Sequence, residues 1–249
     1  MMRETRVQKK KRMRNLLLRL FAVLAVIIAL VFYFLKSSFF AIEDIEFTGN
    51  MVVGHTELLE KSTVVEGTNL LTLRKKSVVS ELEDIPYVKE AKLIKKYPHK
   101  LIVEITERTP YLQFENGYSY SAVDSEGILL ETVIHRFSDV TLIKGLDWEH
   151  IKNGDSILDK EVGVVLKDIF NDEKAENTVK SVKEFNLTDS GDIKLYLING
   201  IMVEFGPMNN VKYKLKMLDE ILADIEKKNI PTRMILFNKG EHPILVRED

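Results

Sequence analysis

The feature that most constrains this 249-residue chain is one long apolar run at residues 16–35, LLLRLFAVLAVIIALVFYFL. Twenty helical residues extend about 30 Å, which is the thickness of the hydrocarbon core of a bilayer. Arg19 is the only charged residue in the run, and it lies within a turn of the start, where its long side chain can reach the headgroups. The run therefore predicts one membrane-spanning helix.

The charges before the run predict how this helix crosses the membrane. Among them is a single acidic residue, Glu4, and the basic residues are Arg3, Arg6, Lys9, Lys10, Lys11, Arg12 and Arg14. Cytoplasmic segments retain such an excess of Lys and Arg. We therefore expect a cytoplasmic basic tail at residues 1–15, a transmembrane helix at 16–36 and an extracellular remainder.

A cleaved signal peptide would also combine a basic start with an apolar core. Two observations argue against cleavage. The uninterrupted apolar core at residues 20–35 has 16 residues, which is slightly long for the apolar core of a signal peptide. The segment that follows, KSSFFAIED, lacks a small-x-small pair, because Phe39 and Phe40 directly precede its only alanine, Ala41. A retained anchor is therefore the preferred interpretation.

The composition beyond the helix excludes several kinds of ligand. Nine of the 36 basic residues but only one of the 38 acidic residues precede Ser37, which leaves 27 basic against 37 acidic residues and a net charge of −10. Such a surface disfavours nucleic acid and polyanionic wall polymers as ligands. The chain has no cysteine, so disulfides and Cys-ligated metals are excluded, and a bacterial exterior is favoured.

Residues 37–110 have the pattern of a small α+β module. Ile45 and Phe47 alternate with acidic residues, as in a half-buried strand, and Thr56 is a candidate cap for a short helix. A second helix carries apolar residues at Val78, Val79, Leu82 and Ile85, and a hairpin follows that turns at residues 97–100. The predicted order is β-α-α-β-β, with both helices on one face of the sheet. The expected core includes Ile45, Phe47, Leu82, Leu93 and Val103.

Residues 111–249 predict a second mixed domain with a largely antiparallel sheet and two helices. Strands are expected at residues 118–122, 128–132, 140–143, 181–186, 193–197, 201–205, 233–237 and 243–247. One helix is expected at residues 159–170. The other, at 211–228, has the clearest periodicity, with an apolar stripe of Val211, Leu215, Leu218, Leu222 and Ile225.

No constellation of residues in the sequence points to catalysis. The five histidines are dispersed, with no HExxH motif and no pair at i, i+4, and the chain lacks a GxSxG elbow, a glycine-rich phosphate loop and an SxxK motif. Trp148 is expected to be a packing residue. We therefore expect a protein that is not an enzyme and has no catalytic site, no metal site and no cofactor.

Several segments taken together resemble the FtsQ/DivIB family of bacterial cell-division proteins. After the basic tail and the single span come FFAIEDIEFTGN, GTNLLTL and IPYVKEAKLIKKYPHKLIVEITERTP. Further on, DSEG at residues 124–127 and IKG at 143–145 are similar to the family's sequence after that module, and the closing ILFNKGEHPILV resembles its terminal strand pair. The resemblance covers nearly the whole chain and is strongest over residues 40–110.

This resemblance implies a POTRA (polypeptide-transport-associated) module at residues 37–110 and the family's β domain at 111–249. It implies a non-enzymatic divisome component that lies in the cell membrane, concentrates at the division septum and helps recruit or regulate the septal peptidoglycan machinery. The implied partners are FtsL-like and DivIC/FtsB-like bitopic division proteins and other divisome proteins, with no nucleic acid and no cofactor.

In that family the partner adds along the final strands of the β domain. The resemblance therefore implies partner-binding residues at Ile235, Phe237, Asn238, Lys239, Gly240, Ile244, Leu245 and Val246. Here the usual polar pattern after the first of these strands is replaced by FNK, which leaves open which side chains contact the partner. Addition of a strand through the backbone tolerates such changes, and an ordinary protected edge is the alternative.

The runner-up function is a membrane-anchored POTRA module that docks or chaperones exported polypeptides. That function would favour several tandem modules followed by many barrel strands. The sequence contains one such module, and the 139 residues after Pro110 include two predicted helices.

Overall fold

The structure is a computed structural model that describes residues 6–146, 151–170, 175–189, 191–207, 209–240 and 242–247. Trp148 lies outside the described residues. The helices are α1 (Arg6–Leu35), α2 (His55–Lys61), α3 (Lys75–Glu83), α4 (Glu161–Phe170), α5 (Ala175–Ser181) and α6 (Val211–Lys228). The strands are β1 (Asp44–Thr48), β2 (Val88–Lys96), β3 (Lys100–Glu107), β4 (Leu112–Asn116), β5 (Ser119–Val123), β6 (Leu129–Val133), β7 (Thr141–Lys144), β8 (Val182–Asn186), β9 (Ile193–Leu197), β10 (Met202–Gly206), β11 (Thr232–Leu236) and β12 (Ile244–Arg247).

Helix α1 contains the predicted membrane span. Its segment Arg12–Leu35 contains an 18-residue stretch with a mean hydropathy of 2.8 and no buried residues, and by length and composition the segment can cross a bilayer. The side chains of this segment are exposed on all faces, as expected for a helix that is surrounded by lipid. Among the residues that the structure describes, α1 is thus the one helix suited to anchoring the chain in a membrane.

The chain divides into two compact units, which consist of Met1–Glu83 with Glu90–Thr106 and of Asp84–Lys89 with Glu107–Asp249. The first contains α1 and a three-stranded sheet in the order β1-β3-β2, in which β1 pairs parallel to β3. Helices α2 and α3 lie between β1 and β2 in the sequence, which confirms the predicted order β-α-α-β-β.

The core of the first module differs from the prediction at β1. Leu82, Leu93 and Val103 are buried as expected, whereas Ile45 and Phe47 are only half-buried. Both residues lie on β1, where the ring of Phe47 packs edge-on against His55 at the start of α2 without being fully covered. The predicted Thr56 cap is also wrong, because α2 begins at His55 and Gly54 holds the capping position without a side-chain hydrogen bond.

The second unit contains a nine-stranded sheet in the order β12-β11-β10-β9-β8-β7-β4-β5-β6. Five of its eight pairings are antiparallel, so the sheet is largely antiparallel, as predicted. The other three, β10–β11, β4–β7 and β7–β8, are parallel. Buried side chains of α4, α5 and α6, among them Leu166, Val179 and Leu215, share one apolar core with the sheet.

Two elements of this unit escaped the prediction. Strand β4 is missed because Gln113 interrupts its apolar pattern, although Gln113 is fully buried and its amide bonds the backbone of Phe137 and Val140. Helix α5 adds a third helix to the two that were predicted. By contrast, the predicted bounds of α6 and β9 match the structure.

Candidate partner-binding edge

Strand β12 forms one outer edge of the nine-stranded sheet, where the sequence places the partner-binding residues. It pairs antiparallel with β11, with Ile235 opposite Leu245 and Leu236 opposite Ile244. In an antiparallel pair, alternate residues of a strand direct their N–H and C=O groups at the neighbour, and the others direct theirs away. At an edge strand that second set is available to another chain.

The side chains of this strand pair divide between the core and the surface. Ile235 is fully buried in the core, whereas Ile244 and Leu245 expose 46% and 37% of their surface. Val246 is half-buried. Ile244 and Leu245 are consecutive strand residues, so their exposed aliphatic side chains project to opposite faces of the edge, and β11 beside them is anchored in the core through Ile235.

A groove of about 260 Å³ lies between β12 and the outer face of α6. It is lined by Met217, Glu220, Ile221, Asp224, Ile230 and Leu245. Most of these residues are apolar, so the groove suits one or two apolar side chains of a bound segment. It lies beside the same strand whose backbone faces outward.

Two carboxylates give this groove an acidic side. Asp224 Oδ2 accepts a hydrogen bond from Lys228 Nζ at 2.6 Å, and this bond holds the pKa of Asp224 below its ordinary value of 3.8. Glu220 lies 3.9 Å from Lys216 Nζ, at the limit of an ion pair. Both carboxylates lie on α6 and each has a lysine of the same helix beside it, so the rim of the groove carries charges of both signs.

The segment after β11 is fixed by contacts with neighbouring residues of the sheet. Phe237 donates its backbone N–H to Glu204 O at 2.8 Å, and its ring packs 5.9 Å from the ring of Phe205. Asn238 donates to Asp192 Oδ1 at 3.0 Å. Lys239 and Gly240 are exposed in the connection to β12. The structure thus brings all eight residues implied by the resemblance into one strand pair, of which Ile235 and Phe237 are supporting residues.

Lys214 of α6 strengthens this support. Its ammonium donates to Phe205 O at 3.1 Å and to Pro207 O at 2.8 Å, and it lies 4.9 Å from the centre of the Phe205 ring. Burial lowers the pKa of Lys214, and the bonds to the carbonyls offset part of the lost hydration. The ammonium therefore links α6 to the end of β10, next to the strands that form the edge.

Sequence reasoning missed the groove, although a signal was present. The predicted stripe of α6 contains the residues that enter the core, of which Val211, Leu215 and Leu218 are buried. Met217 and Ile221 lie one turn apart beside that stripe and widen the apolar face of the helix. The apolar face of α6 is therefore wider than the part that enters the core, and the extra residues line the groove.

The largest cluster of charges in the second unit lies around the DSEG turn. Arg108 Nη1 bonds Asp124 Oδ2 at 2.5 Å and Glu126 Oε2 at 2.7 Å, and Lys89 Nζ lies 2.8 Å from Glu126. Asp124 Oδ1 also accepts the backbone N–H groups of Glu126 and Ile128, which fixes the turn. Every one of these carboxylates has partners, so the cluster is structural. Within the described ranges, no His, Cys, Asp and Glu side chains group in a way that could hold a metal ion.

Comparison with known proteins agrees with this architecture. The family model described as "POTRA domain, FtsQ-type" matches residues 40–108, and the one described as "Cell division protein FtsQ/DivIB, C-terminal" matches residues 113–235. Together the two matches cover most of the chain beyond α1. The second match ends within β11, just before the connection to β12.

Similar proteins carry cell-division names. The chain is 27% identical over 225 residues to the cell division protein DivIB of Clostridium botulinum strain Hall, covering 89% of this chain and 86% of that one. It is 24% identical over 194 residues to the cell division protein FtsQ of Syntrophotalea carbinolica, covering 77% and 68%. A solved extracytoplasmic domain of DivIB from Geobacillus stearothermophilus matches at 14% identity and a TM-score of 0.33, covering 49% of this chain and 97% of that one. From the two family models and the Clostridium and Syntrophotalea relatives, the chain belongs to the FtsQ/DivIB family of cell-division proteins.

Proposed function

We propose that this protein is a non-enzymatic component of the bacterial divisome that binds small bitopic division proteins through the edge strand β12. The observation that carries the proposal is the position of β12, an edge strand whose exposed Leu245 lines a groove of about 260 Å³. Family membership supports a role in division. The FtsL-like and DivIC/FtsB-like proteins are the proposed partners.

Binding at this edge would combine two kinds of contact. A segment of the partner pairs with the outward backbone groups of β12, which supplies affinity with little dependence on side chains. An apolar side chain of the same segment enters the groove beside Leu245. The side-chain contacts thus select among partners that all could form the backbone pairing.

The proposed arrangement in the cell follows from the charges around α1. Residues 1–15 form the cytoplasmic tail, 16–36 cross the membrane, and the POTRA module (37–110) and the β domain (111–249) lie outside. This places β12 on the same side of the membrane as the external segments of single-pass partners. The protein would then concentrate at the septum by joining those partners, and would regulate septal peptidoglycan synthesis by recruitment and not by a reaction of its own.

The test is binding of the full chain, in detergent micelles, to the external segments of FtsL-like and DivIC/FtsB-like proteins. Leu245→Glu puts a carboxylate at the groove, and we expect affinity to fall by about tenfold or more, because the charge must be desolvated when the partner binds. Ile198→Glu is the matched control, since Ile198 is 69% exposed in the β9–β10 turn of the same sheet. It should leave binding unchanged.

Equal loss of binding in both variants, or in neither, would place the interface elsewhere. Circular dichroism of each variant must match the parent before the affinities are compared. The runner-up function, docking of exported polypeptides, makes a different prediction. If it held, unfolded secretory polypeptides would compete with the bitopic segments, and depletion of the protein would deplete envelope proteins while septa still formed.

A further inference from the structure

The end of helix α1 is tied to a loop of the first module. Asn69 Nδ2 donates to Leu35 O at 2.9 Å and to Ser37 O at 3.4 Å. Leu70 N–H donates to Phe40 O at 2.7 Å. Because these bonds join the last turn of α1 to the loop before α3, the surface around this loop lies where the chain would leave the membrane.

Aromatic side chains gather at this exit. The rings of Phe34, Phe39 and Phe40 contact one another with centroids 5.1 to 5.6 Å apart, and Tyr97 meets Phe40 edge-on at 6.5 Å. Phe39 and Tyr97 nevertheless expose 54% and 57% of their surface. Phenyl and phenol rings with this exposure suit the headgroup region, where an apolar ring and a polar tip are both accommodated.

Two lysines of the same module interact with each other and with its backbone. Lys75, the first residue of α3, donates to Leu93 O at 2.9 Å, and Lys95 donates to Leu73 O at 3.0 Å. Leu73 in turn donates its N–H to Asn69 O, and the side chain of Asn69 bonds the last residue of α1. Lys95 is the last residue but one of β2, and Tyr97 directly follows the strand.

The lysine pair lacks an anionic partner within the part of the chain that the structure describes. Neither ammonium forms an ion pair there, and each uses a single hydrogen bond to a backbone carbonyl. Burial and the charge of Lys75 both lower the pKa of Lys95. Two ammonium groups that repel each other, with donors to spare, gain free energy from an anion between them.

We propose that the Lys75–Lys95 pair and the exposed rings of Phe39 and Tyr97 form a surface that binds anionic lipid headgroups and rests the first module on the membrane. The proposal depends on α1 crossing the membrane, which is part of the proposed function, but it does not involve β12. Lipid is favoured over an acidic peptide because the basic and aromatic groups surround the point where the membrane helix ends. The residues from Ser37 onward have a net charge of −10 and would be repelled by the same lipids. The lysine pair would therefore decide which end of the module touches the membrane.

The two lysines also have a structural role, since each donates a hydrogen bond to a backbone carbonyl of another segment of the module. Charge and bridging can be separated by substitution. Lys75→Arg with Lys95→Arg retains both charges, whereas Lys75→Gln with Lys95→Gln removes them and keeps one donor group at each position. Lys61→Gln with Lys92→Gln is the matched control, because both residues are exposed lysines of the same module and the charge change is identical.

The experiment uses the full chain with Thr72→Cys as its only cysteine, since the natural chain has none. Thr72 is exposed in the loop beside the lysine pair. A fluorophore on this cysteine is read in nanodiscs of phosphatidylcholine, with or without phosphatidylglycerol, that carry a nitroxide quencher on the headgroup. Because Asn69 ties this loop to the end of α1, some quenching is expected in both lipids. Phosphatidylglycerol should increase it, and raising sodium chloride should remove the increase. The Gln pair should weaken docking roughly tenfold or more, and the Arg pair and the control pair should retain it.

Three results would overturn the proposal. Quenching that is equal in the two lipid compositions would show that anionic headgroups are not recognised. An Arg pair that fails as badly as the Gln pair would assign the lysines to backbone bridging. Abolition by inorganic phosphate, at an ionic strength where sodium chloride has no effect, would make the pair a site for free phosphate. If the variant with both lysines changed to Gln unfolds, the dependence of quenching on salt and lipid in the parent protein still tests the proposal. None of these measurements includes a division partner, so the lipid proposal can fail without any effect on the proposed binding at β12.

Discussion

Leu82 and Phe47 carry unequal shares of the first module's core, although both were predicted to lie there. Leu82 is fully buried, and Leu82→Ala should lower the free energy of unfolding by about 2–5 kcal/mol through lost burial and a cavity. Phe47 is half-buried and packs edge-on against His55 at 4.8 Å, so Phe47→Ala should cost only about 1–2 kcal/mol. Urea unfolding of both variants, followed by circular dichroism, measures the difference.

An equal or larger loss for Phe47→Ala would show that β1 contributes more to the core than its partial exposure implies. The contrast is informative because alternation in a sequence identifies which face of a strand is apolar. It does not tell how much of that face the neighbouring elements cover, and Leu93 of the other edge strand, β2, is buried whereas Phe47 of β1 is not.

Glu81 links α3 to the loop after α2 through its carboxylate. It accepts the backbone N–H of Thr63 at 2.7 Å and the Thr63 hydroxyl at 2.8 Å, and Ser77 donates at 3.0 Å. The bonds from Thr63, and then that from Ser77, lower the pKa of Glu81 from its ordinary 4.5. We expect Glu81→Gln to lower the free energy of unfolding by about 1 kcal/mol at neutral pH, a modest loss because the site is solvent-exposed.

The pH dependence of that loss has a defined sign. A carboxylate with a lowered pKa in the folded state stabilises it fully above the ordinary pKa, and the contribution disappears as the pH falls through the folded pKa. The difference between the parent and Glu81→Gln should therefore vanish below pH 4.5 and persist at neutral pH. Glu60→Gln, at an exposed position of α2, is the control and should show little difference at either pH. A difference that grows on acidification would contradict the assignment.

Strand β12 makes a prediction at the scale of an element. Proline removes one backbone N–H, and along an edge strand alternate N–H groups point inward to β11 and outward to solvent. Proline at Ile244, Leu245 and Val246 in turn should therefore give an alternating result. Proline at a position whose N–H points inward should lower the unfolding midpoint. Proline at a position whose N–H points outward should leave the midpoint nearly unchanged and abolish binding of the bitopic segments.

The control is alanine at Asn238 and Lys239, which should weaken binding less than an outward proline, because main-chain bonds supply most of the affinity in strand addition. A scan in which all three prolines unfold the domain equally would mean that both edges of β12 are paired. A scan in which none affects binding would exclude strand addition at this edge.

Elements with a regular pattern could be predicted from the sequence, and those governed by tertiary contacts could not. Helix α6 and strand β9 were predicted with the observed bounds because their apolar residues repeat at one period throughout. Strand β4 was missed because buried Gln113 finds its partners in a loop 24 to 27 residues away. The groove beside β12 was missed for the same reason, since it forms only when α6 and the last strand meet.

The family resemblance pointed to the final strand pair, which residue patterns alone could not have identified. Exposed Ile244 and Leu245 are ordinary residues for an edge strand, and no catalytic or metal-binding motif marks them. What distinguishes them is the order of the strands in the sheet, where the last strand of the chain is also the outermost. Sequence spacing does not encode that order.

At the scale of the whole molecule, the proposed binding and the proposed lipid contact both require one transmembrane orientation. Because the natural chain has no cysteine, single cysteines can report each side of the membrane without background. Tyr118 is 98% exposed at the β4–β5 turn, so Tyr118→Cys should react with a membrane-impermeant maleimide added to intact cells. Lys9→Cys, in the basic tail, should react only after the cells are permeabilised.

The same two variants distinguish a retained anchor from a cleaved signal peptide. If the chain is retained, labelled Lys9→Cys and Tyr118→Cys should migrate at the same mass, and both should stay with the membrane after washing with carbonate. Cleavage would remove the Lys9→Cys label from the mature chain and release the rest. The reverse labelling pattern, with Lys9→Cys reactive in intact cells, would place β12 and the Lys75–Lys95 pair in the cytoplasm. The external segments of bitopic partners could then not reach β12, because no strand crosses the hydrocarbon core unpaired.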